Sequence, residues 1–327
     1  MAKSQLATLY EHIISIDNLL EAWRDFVRGK RKRKDVQEFE LRLMGNILSL
    51  HKDLSERTYI HSDYEAFNIS DPKPRNIHKA SVRDRLLHHA LYRIVYPFFD
   101  KTFIADSYSC RKGKGTHKAL ANFRARAYKV SLNHTRTVWV LKCDVRKFFA
   151  SIDQQRLLEI LEESIPDKHI IWLLSKIVSS FHAKEEGVGL PLGNLTSQLL
   201  VNIYMNEFDQ FVKHKLKMRH YVRYADDFVF LSSDKREMEE VLPKVRKFLW
   251  EELRLTLHPD KVFIRTLAPG VDFLGWVHFP DHRVVRTTTK RRMFSRLKKT
   301  GENEQSIQSY LGLLSYGNTY KLRKSIS

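Results

Sequence analysis

Apolar residues near the start of the chain recur at helical spacing, with Leu6, Leu9, Ile13 and Ile16 in one run and Phe39, Leu41, Leu43, Ile47 and Leu50 in another. Gly29 and the basic block Arg28, Lys30, Arg31, Lys32, Arg33 and Lys34 separate the two, so residues 5–59 read as helical in parts. Residues 65–80 read as extended chain around a turn at Asp71-Pro72-Lys73-Pro74. Ser81 is placed to cap a helix running to Tyr96, where Pro97, lacking an amide donor, is expected to stop it. Ser107 to His117 forms a basic glycine loop that leads into a helix near Ala119.

From Val138 the pattern changes to a buried strand that ends on a carboxylate, Asp144. Helical stretches fill 153–181, a glycine-containing loop spans 187–197, and a helix is expected from about 197 to 217. Tyr221 to Leu231 alternates as a hairpin with Ala225-Asp226-Asp227 at its turn. A helix over 235–253, a strand over 261–267, a short strand pair within 271–285 and a basic helical tail from about 288 complete the chain. The order strand, helix, hairpin, helix, strand over 138–267 is what a split βαβ, ferredoxin-like sheet requires. That fold hosts many activities, so the order alone does not name one.

Charge narrows the choice. The 327 residues carry 57 Lys and Arg against 38 Asp and Glu, a net charge of +19, which attracts a polyanion. The excess is clustered in the 28–34 block and in a second one at Lys290, Arg291, Arg292, Arg296, Lys298 and Lys299. Either run by itself also reads as a solvated face or a targeting tag. The two cysteines, Cys110 and Cys143, have neither zinc-like spacing nor a disulfide framework around them. A reducing cytoplasm is therefore expected. No apolar run reaches the roughly 20 residues of a membrane span, and the N-terminus lacks the apolar core of a signal peptide.

Asp144, Asp226 and Asp227 carry the candidate chemistry. Carboxylates set among apolar strand residues are costly unless solvated or metal-bound. A hairpin turn beside a strand end would gather all three, and hard oxygen ligands of this kind suit Mg²⁺. Two such ions would stabilise the attacking and leaving oxygens of a phosphoryl displacement. A lone Asp-Asp is ordinary turn chemistry, so the surrounding sequence has to decide.

Tyr224-Ala225-Asp226-Asp227 resembles the YxDD box of reverse transcriptases. Leu141 to Asp153 resembles the first palm motif of that family, Gly189 to Gln198 its fourth block, and Leu257 to Lys261 with Val271 to Gly275 the two that follow. Lys73-Pro74-Arg75 with Asp84-Arg85, and the 107–119 segment, resemble the fingers blocks, so the likeness runs in order from about residue 65 to 280. It implies an α+β right-hand polymerase with a helical N-terminal extension (1–64), fingers (65–137 with 153–196), a ferredoxin-like palm (138–285) and a short helical thumb (286–327). It also implies an RNA-directed DNA polymerase using two Mg²⁺ ions, for which Mn²⁺ would substitute.

By resemblance, Asp144, Asp226 and Asp227 with the Val145 carbonyl hold the metals, Asp227 being the least directly engaged. Arg75, assisted by Lys73, binds the triphosphate, since a guanidinium fork suits phosphate. Lys261 would act as general acid near the leaving pyrophosphate. Phe149 would exclude a 2′-hydroxyl, and Leu192 with Gly193 would contact the incoming nucleotide. Arg111, Lys112, Lys114, Tyr224, Ser197 and Gln198 would meet template and primer, and Arg291, Arg292 and Lys298 would grip the hybrid from the thumb. Residue by residue, other readings stay open: exposed turn charges for Lys73 and Arg75, a surface lysine for Lys261, core packing for Phe149 and Leu192.

Within the family, Leu192-Gly193-Asn194-Leu195-Thr196-Ser197-Gln198 resembles the reverse transcriptases of diversity-generating retroelements, which misincorporate opposite template adenine. An aliphatic Leu192 cannot make a polar contact to the nucleotide. That likeness implies a bacterial or phage-encoded enzyme with a template-repeat RNA and a small basic accessory protein that forms a pentameric ring. The N-terminal helices or the 28–34 block would offer its docking face, or would hold RNA. The alternatives are a group II-like, retron-like, CRISPR-associated or defence-associated reverse transcriptase, and a non-catalytic RNA-binding scaffold.

Overall fold

A computed structural model describes residues 9–70, 74–300 and 303–326. Leu6, Lys73 and the Asp71-Pro72 half of the expected turn lie outside the described residues. In chain order the elements are α1 (Leu9–Ile14), α2 (Ile16–Val27), α3 (Lys34–Glu40), α4 (Leu43–Ser55), β1 (Glu65–Ile69), β2 (Arg75–Lys79), α5 (Val82–Asp100) and α6 (Thr116–Val130). Then follow β3 (Trp139–Asp144), α7 (Gln154–Ser164), α8 (Lys168–Val178), α9 (Leu195–Gln210), β4 (Tyr221–Tyr224), β5 (Asp227–Ser232) and α10 (Lys235–Leu253). The chain closes with β6 (Phe263–Thr266), β7 (Val271–Phe273), β8 (Trp276–His278), β9 (Arg283–Val285), α11 (Thr287–Thr300), α12 (Glu304–Leu314) and α13 (Tyr320–Lys324). Among the described residues, no helix is long and apolar enough to cross a membrane.

The chain divides into two compact units. One comprises Met1–Ile104, Arg146–Phe211 and Phe248–Thr256; the other comprises Ala105–Val145, Val212–Lys247 and Leu257–Ser327. In the first, α2 packs along α5, and α5 along α9. The buried face includes Leu19, Ala22, Phe26, Leu86, Ala90 and Leu91. The first helical run breaks at Ser15, whose hydroxyl accepts the Asn18 amide at 3.2 Å and starts α2 afresh. The expected stop at Pro97 does not occur, because α5 continues to Asp100. Proline removes one hydrogen bond near the last turn, and burial of Phe99 in that turn outweighs it. The helix expected to reach about 217 ends as α at Gln210 and continues as one π-helical turn, Phe211–Lys215.

The second unit holds a four-stranded antiparallel sheet in the order β4-β5-β3-β6, the strand order that the split βαβ reading requires. β6 starts at Phe263 rather than at 261, because Pro259–Lys261 winds into a 3₁₀ turn in which Asp260 N donates to His258 Nδ1 at 3.2 Å. The expected strand pair within 271–285 is a three-stranded sheet, since the chain folds back past Asp281 to add β9. Phe123 and Ala127 of α6 pack with Val140, Val222, Val229, Phe273 and Trp276, a core that Met293 and Leu314 of the helical tail extend.

Candidate active site

Register brings the carboxylates together. β3 and β5 pair antiparallel with Asp144 opposite Asp227, and β4 and β5 pair with Tyr224 opposite Asp227, leaving Ala225 and Asp226 as the turn. Ala225 adopts φ 56°, left-handed backbone that costs an alanine roughly 1 kcal/mol. The tip is tied to its surroundings: Val145 N donates to Asp226 O at 3.2 Å, and His258 N donates to Asp144 O at 2.7 Å.

Two lysines each meet one of these aspartates. Lys261 Nζ lies 2.9 Å from Asp144 Oδ1. Lys142 Nζ lies 3.0 Å from Asp227 Oδ1, an ion pair whose alignment leaves that buried oxygen without a hydrogen bond. Burial pushes the Asp227 carboxyl up to about 6; Lys142 pulls it down, and the charges on Asp144 and Asp226 push it further up. The donor set is three hard carboxylates with an unsatisfied oxygen, which fits a divalent cation. Among the described residues, no group of three or more His, Cys, Asp or Glu is placed to hold a metal ion as the chain stands.

The sequence reading missed Lys142 and Arg223. Lys142 is buried in β3, two residues before Asp144 and on the same face of the strand. Arg223 is fully buried in β4; its Nη1 donates to Ala225 O at 3.1 Å and its Nη2 to Ser107 Oγ at 3.0 Å, while Tyr108 N donates to Arg223 O at 3.0 Å. The basic loop is thereby stitched to the hairpin. A cation inside an apolar strand was the available signal for each, just ahead of Asp144 for Lys142 and of the Asp pair for Arg223. Tyr224 OH accepts from Thr116 Oγ1 at 3.1 Å, Arg111 donates to Ser107 O at 3.1 Å, and Lys114 donates to Ala105 O at 2.9 Å. Lys112 is exposed in the same loop, and Arg291, Arg292 and Lys298 stand exposed on α11.

A different group of predicted residues gathers in the first unit. Arg75 opens β2 and is exposed. Farther along that strand, His78 N donates to Leu192 O at 3.1 Å and Asn194 Nδ2 donates to His78 O at 2.9 Å, so the 192–194 loop lies against β2. Gly193 sits at φ 113°, and a Cβ there would come 2.8 Å from Ile77 Cγ2. Phe149 is half-buried, edge-on to buried Phe148, and its carbonyl accepts from Leu190 N at 2.8 Å. Gln198 is half-buried in the first turn of α9, whereas Ser197 is 2% exposed and packs inward.

The sequence model for "Reverse transcriptase (RNA-dependent DNA polymerase)" matches residues 70–278. The chain is 27% identical over 260 residues to Protein YkfC of Escherichia coli, covering 68% of this chain and 66% of YkfC. It is 21% identical over 324 residues to the group II intron-encoded protein LtrA of Lactococcus lactis, covering 78% of this chain and 52% of LtrA. A putative COX1/OXI3 intron 2 protein of Saccharomyces cerevisiae is 22% identical over 237 residues, covering 54% of this chain and 27% of that protein. The chain thus spans two thirds or less of these relatives. In fold it is similar to apo telomerase from Candida tropicalis, with a TM-score of 0.52 at 12% identity, over 74% of this chain and 60% of that one.

Proposed function

Because the chain belongs to the reverse transcriptase family of RNA-dependent DNA polymerases, we propose that it copies a template RNA into cDNA by two-metal phosphoryl transfer. The observation that carries this reading is Asp144 paired opposite Asp227, with Asp226 in the turn beside them. Asp144, Asp226 and Asp227, with the Val145 carbonyl, would hold the divalent ions. Bound there, the ions would neutralise charge that builds on the attacking and leaving oxygens. The chain's own groups do the rest. Lys142 keeps Asp227 in its ionised form, and Lys261 Nζ supplies a proton to the departing pyrophosphate. Arg75, with Lys73, binds the triphosphate, and Phe149 closes against the sugar where a 2′-hydroxyl would stand. Residues 65–137 with 153–196 serve as fingers, 138–285 as palm and 286–327 as thumb, behind the 1–64 extension. Arg111, Lys112, Lys114, Tyr224 and Gln198 face template and primer. Ser197 contributes to the same nucleic-acid contact, and Arg291, Arg292 and Lys298 hold the hybrid backbone.

Within the family the reading is a mutagenic retroelement enzyme, bacterial or phage-encoded, that works in the cytoplasm on a template-repeat RNA with a pentameric basic accessory protein. Leu192 ahead of Gly193-Asn194, and Gln198 after Ser197, support it. A second reading, a group II intron-like enzyme, is supported by the likeness to LtrA and the yeast intron protein.

Extension of a DNA primer on an RNA template by the purified chain with Mg²⁺, followed by product sequencing, tests both. Asp226→Asn should cut extension about a thousandfold or more, several kcal/mol of transition-state stabilisation. Errors should concentrate opposite template adenine and fall in Leu192→Gln, and Phe149→Ala should admit ribonucleotides. Evenly spread errors would favour the second reading, and no extension by the unaltered chain would remove the polymerase reading altogether.

A further inference from the structure

Away from the carboxylates, the second unit carries a cavity of about 450 Å³ on the outer face of α6, within the roughly 300–1,000 Å³ of ligand pockets. Its floor is Ala121 and Ala125, one helical turn apart, whose small side chains make the hollow. Tyr128 forms one wall and is 46% exposed. Arg124, Lys129 and Arg283 are among its lining residues and no acidic residue is; Arg124 Nη2 donates to Asp281 O at 3.2 Å. Arg283 Nη1 is buried with no hydrogen-bond partner, although Arg283 Nε donates to Tyr316 O. The nearby carboxylate, Asp281, is turned onto His282 Nδ1 at 2.8 Å.

The far wall is a built turn. Leu132, Asn133 and His134 follow α6 at φ 45°, 60° and 65°, three consecutive left-handed residues that no glycine relieves. Asparagine and histidine tolerate that region, whereas leucine does not, so hydrogen bonds must hold it. Asn133 N donates to Tyr128 O at 3.1 Å, His134 N to Ser131 Oγ at 2.9 Å, and Thr135 Oγ1 to Leu132 O at 2.7 Å. The turn sets the His134 ring edge-on to Tyr128, with centroids 5.2 Å apart at 79°. An apolar floor, a half-exposed tyrosine and two exposed cations, Arg124 and Lys129, match one chemistry, a planar base joined to phosphate.

We propose that this cavity is an accessory site for a single strand of nucleic acid, taking one unstacked base against Tyr128 while exposed Arg124 and Lys129 hold the flanking phosphates. Every base has a π-face, so stacking of this kind is tolerant of sequence, and the cations track the backbone rather than read it. The site would grip that strand away from the carboxylates, independently of nucleotide addition.

The test uses the full chain preloaded with saturating primer–template hybrid, to which a fluorescent single-stranded oligouridylate is titrated. A second strand should bind, and ultraviolet irradiation should crosslink uridine to Tyr128 or His134. Tyr128→Ala, and Ala125→Trp to fill the hollow, should each weaken that binding about tenfold, consistent with the loss of one stacked base. Melting temperature and primer extension should stay unchanged, since both positions are exposed and outside the proposed catalytic group. The proposal is overturned if the preloaded protein takes no second strand, if both variants bind like the unaltered chain, or if free uridine monophosphate competes as well as the oligomer. The readout is binding, so its failure leaves the polymerase reading standing, and loss of extension in Asp226→Asn leaves this one standing.

Discussion

Lys142 Nζ sits 3.0 Å from Asp227 Oδ1, both side chains largely buried. The lysine is thus the near counter-charge for a carboxyl that burial and two neighbouring aspartates push toward its neutral form. Lys142→Met would remove the charge that pulls the Asp227 pKa down. The acid limb of the extension rate should then move up by about one pH unit. Stability should change with the same sign. With the folded pKa raised above the unfolded value, the variant loses stability as pH rises through that range. A pH–rate profile and urea midpoints at two pH values check this; an unmoved acid limb refutes it.

Arg223 is predicted to be a strut of the turn rather than a nucleic-acid contact, since it is fully buried and donates to Ala225 O and Ser107 Oγ. Arg223→Leu should destabilise the chain by about 2–4 kcal/mol, by orphaning those acceptors and losing a charge-assisted pair. Arg223→Lys should recover little, because one ammonium lacks the fork that reaches both acceptors. Denaturant unfolding of the two variants decides, and full rescue by lysine would contradict the strut.

Gly193 is required by two separate constraints, φ 113° and an approach that would leave a Cβ 2.8 Å from Ile77 Cγ2. Gly193→Ala should cost about 1–3 kcal/mol. Adding Ile77→Ala should relieve only the steric part, measured as a positive coupling in a double-mutant cycle. Additive losses would show that the contact does not matter.

Acid should weaken the fold through its buried histidines. Burial depresses His88 to about 3, His89 to about 4 and His278 to about 3. His88 Nε2 faces His61 Nε2 at 3.3 Å, close to Asp84, Arg85 and His89. Between the unfolded value near 6.5 and these folded values, the unfolded chain binds more protons. Stability therefore falls as pH drops through that window, by up to about 1.4 kcal/mol per pH unit for each histidine. His88→Leu should flatten the slope by its share in urea melts from pH 7.5 to 4.5, whatever it does to absolute stability. An identical slope would mean that His88 already protonates in the folded chain.

Much of the site was legible because its signals are local. A strand ending on Asp144, an Asp-Asp turn between apolar strands and the blocks around Leu192 and Lys261 need only neighbours in sequence to be recognised. Less visible were Lys142 and Arg223, cations in strands whose burial depends on what the sheet and the 107–115 loop lay over them. Pro97 misled for a related reason: its local veto is one hydrogen bond, and packing of Phe99 overrides it.

By itself the amino-acid order determined the family, the trio of aspartates, the basic character and the succession of helices and strands, since each rests on short-range pattern and composition. The fold alone decided that Asp144 stands opposite Asp227, that each of the two is met by a lysine, and that Ala121, Ala125 and Tyr128 line one hollow with Arg283. Those outcomes turn on register and on contacts between residues far apart in the chain, where one-residue slippage would send every side chain to the opposite face.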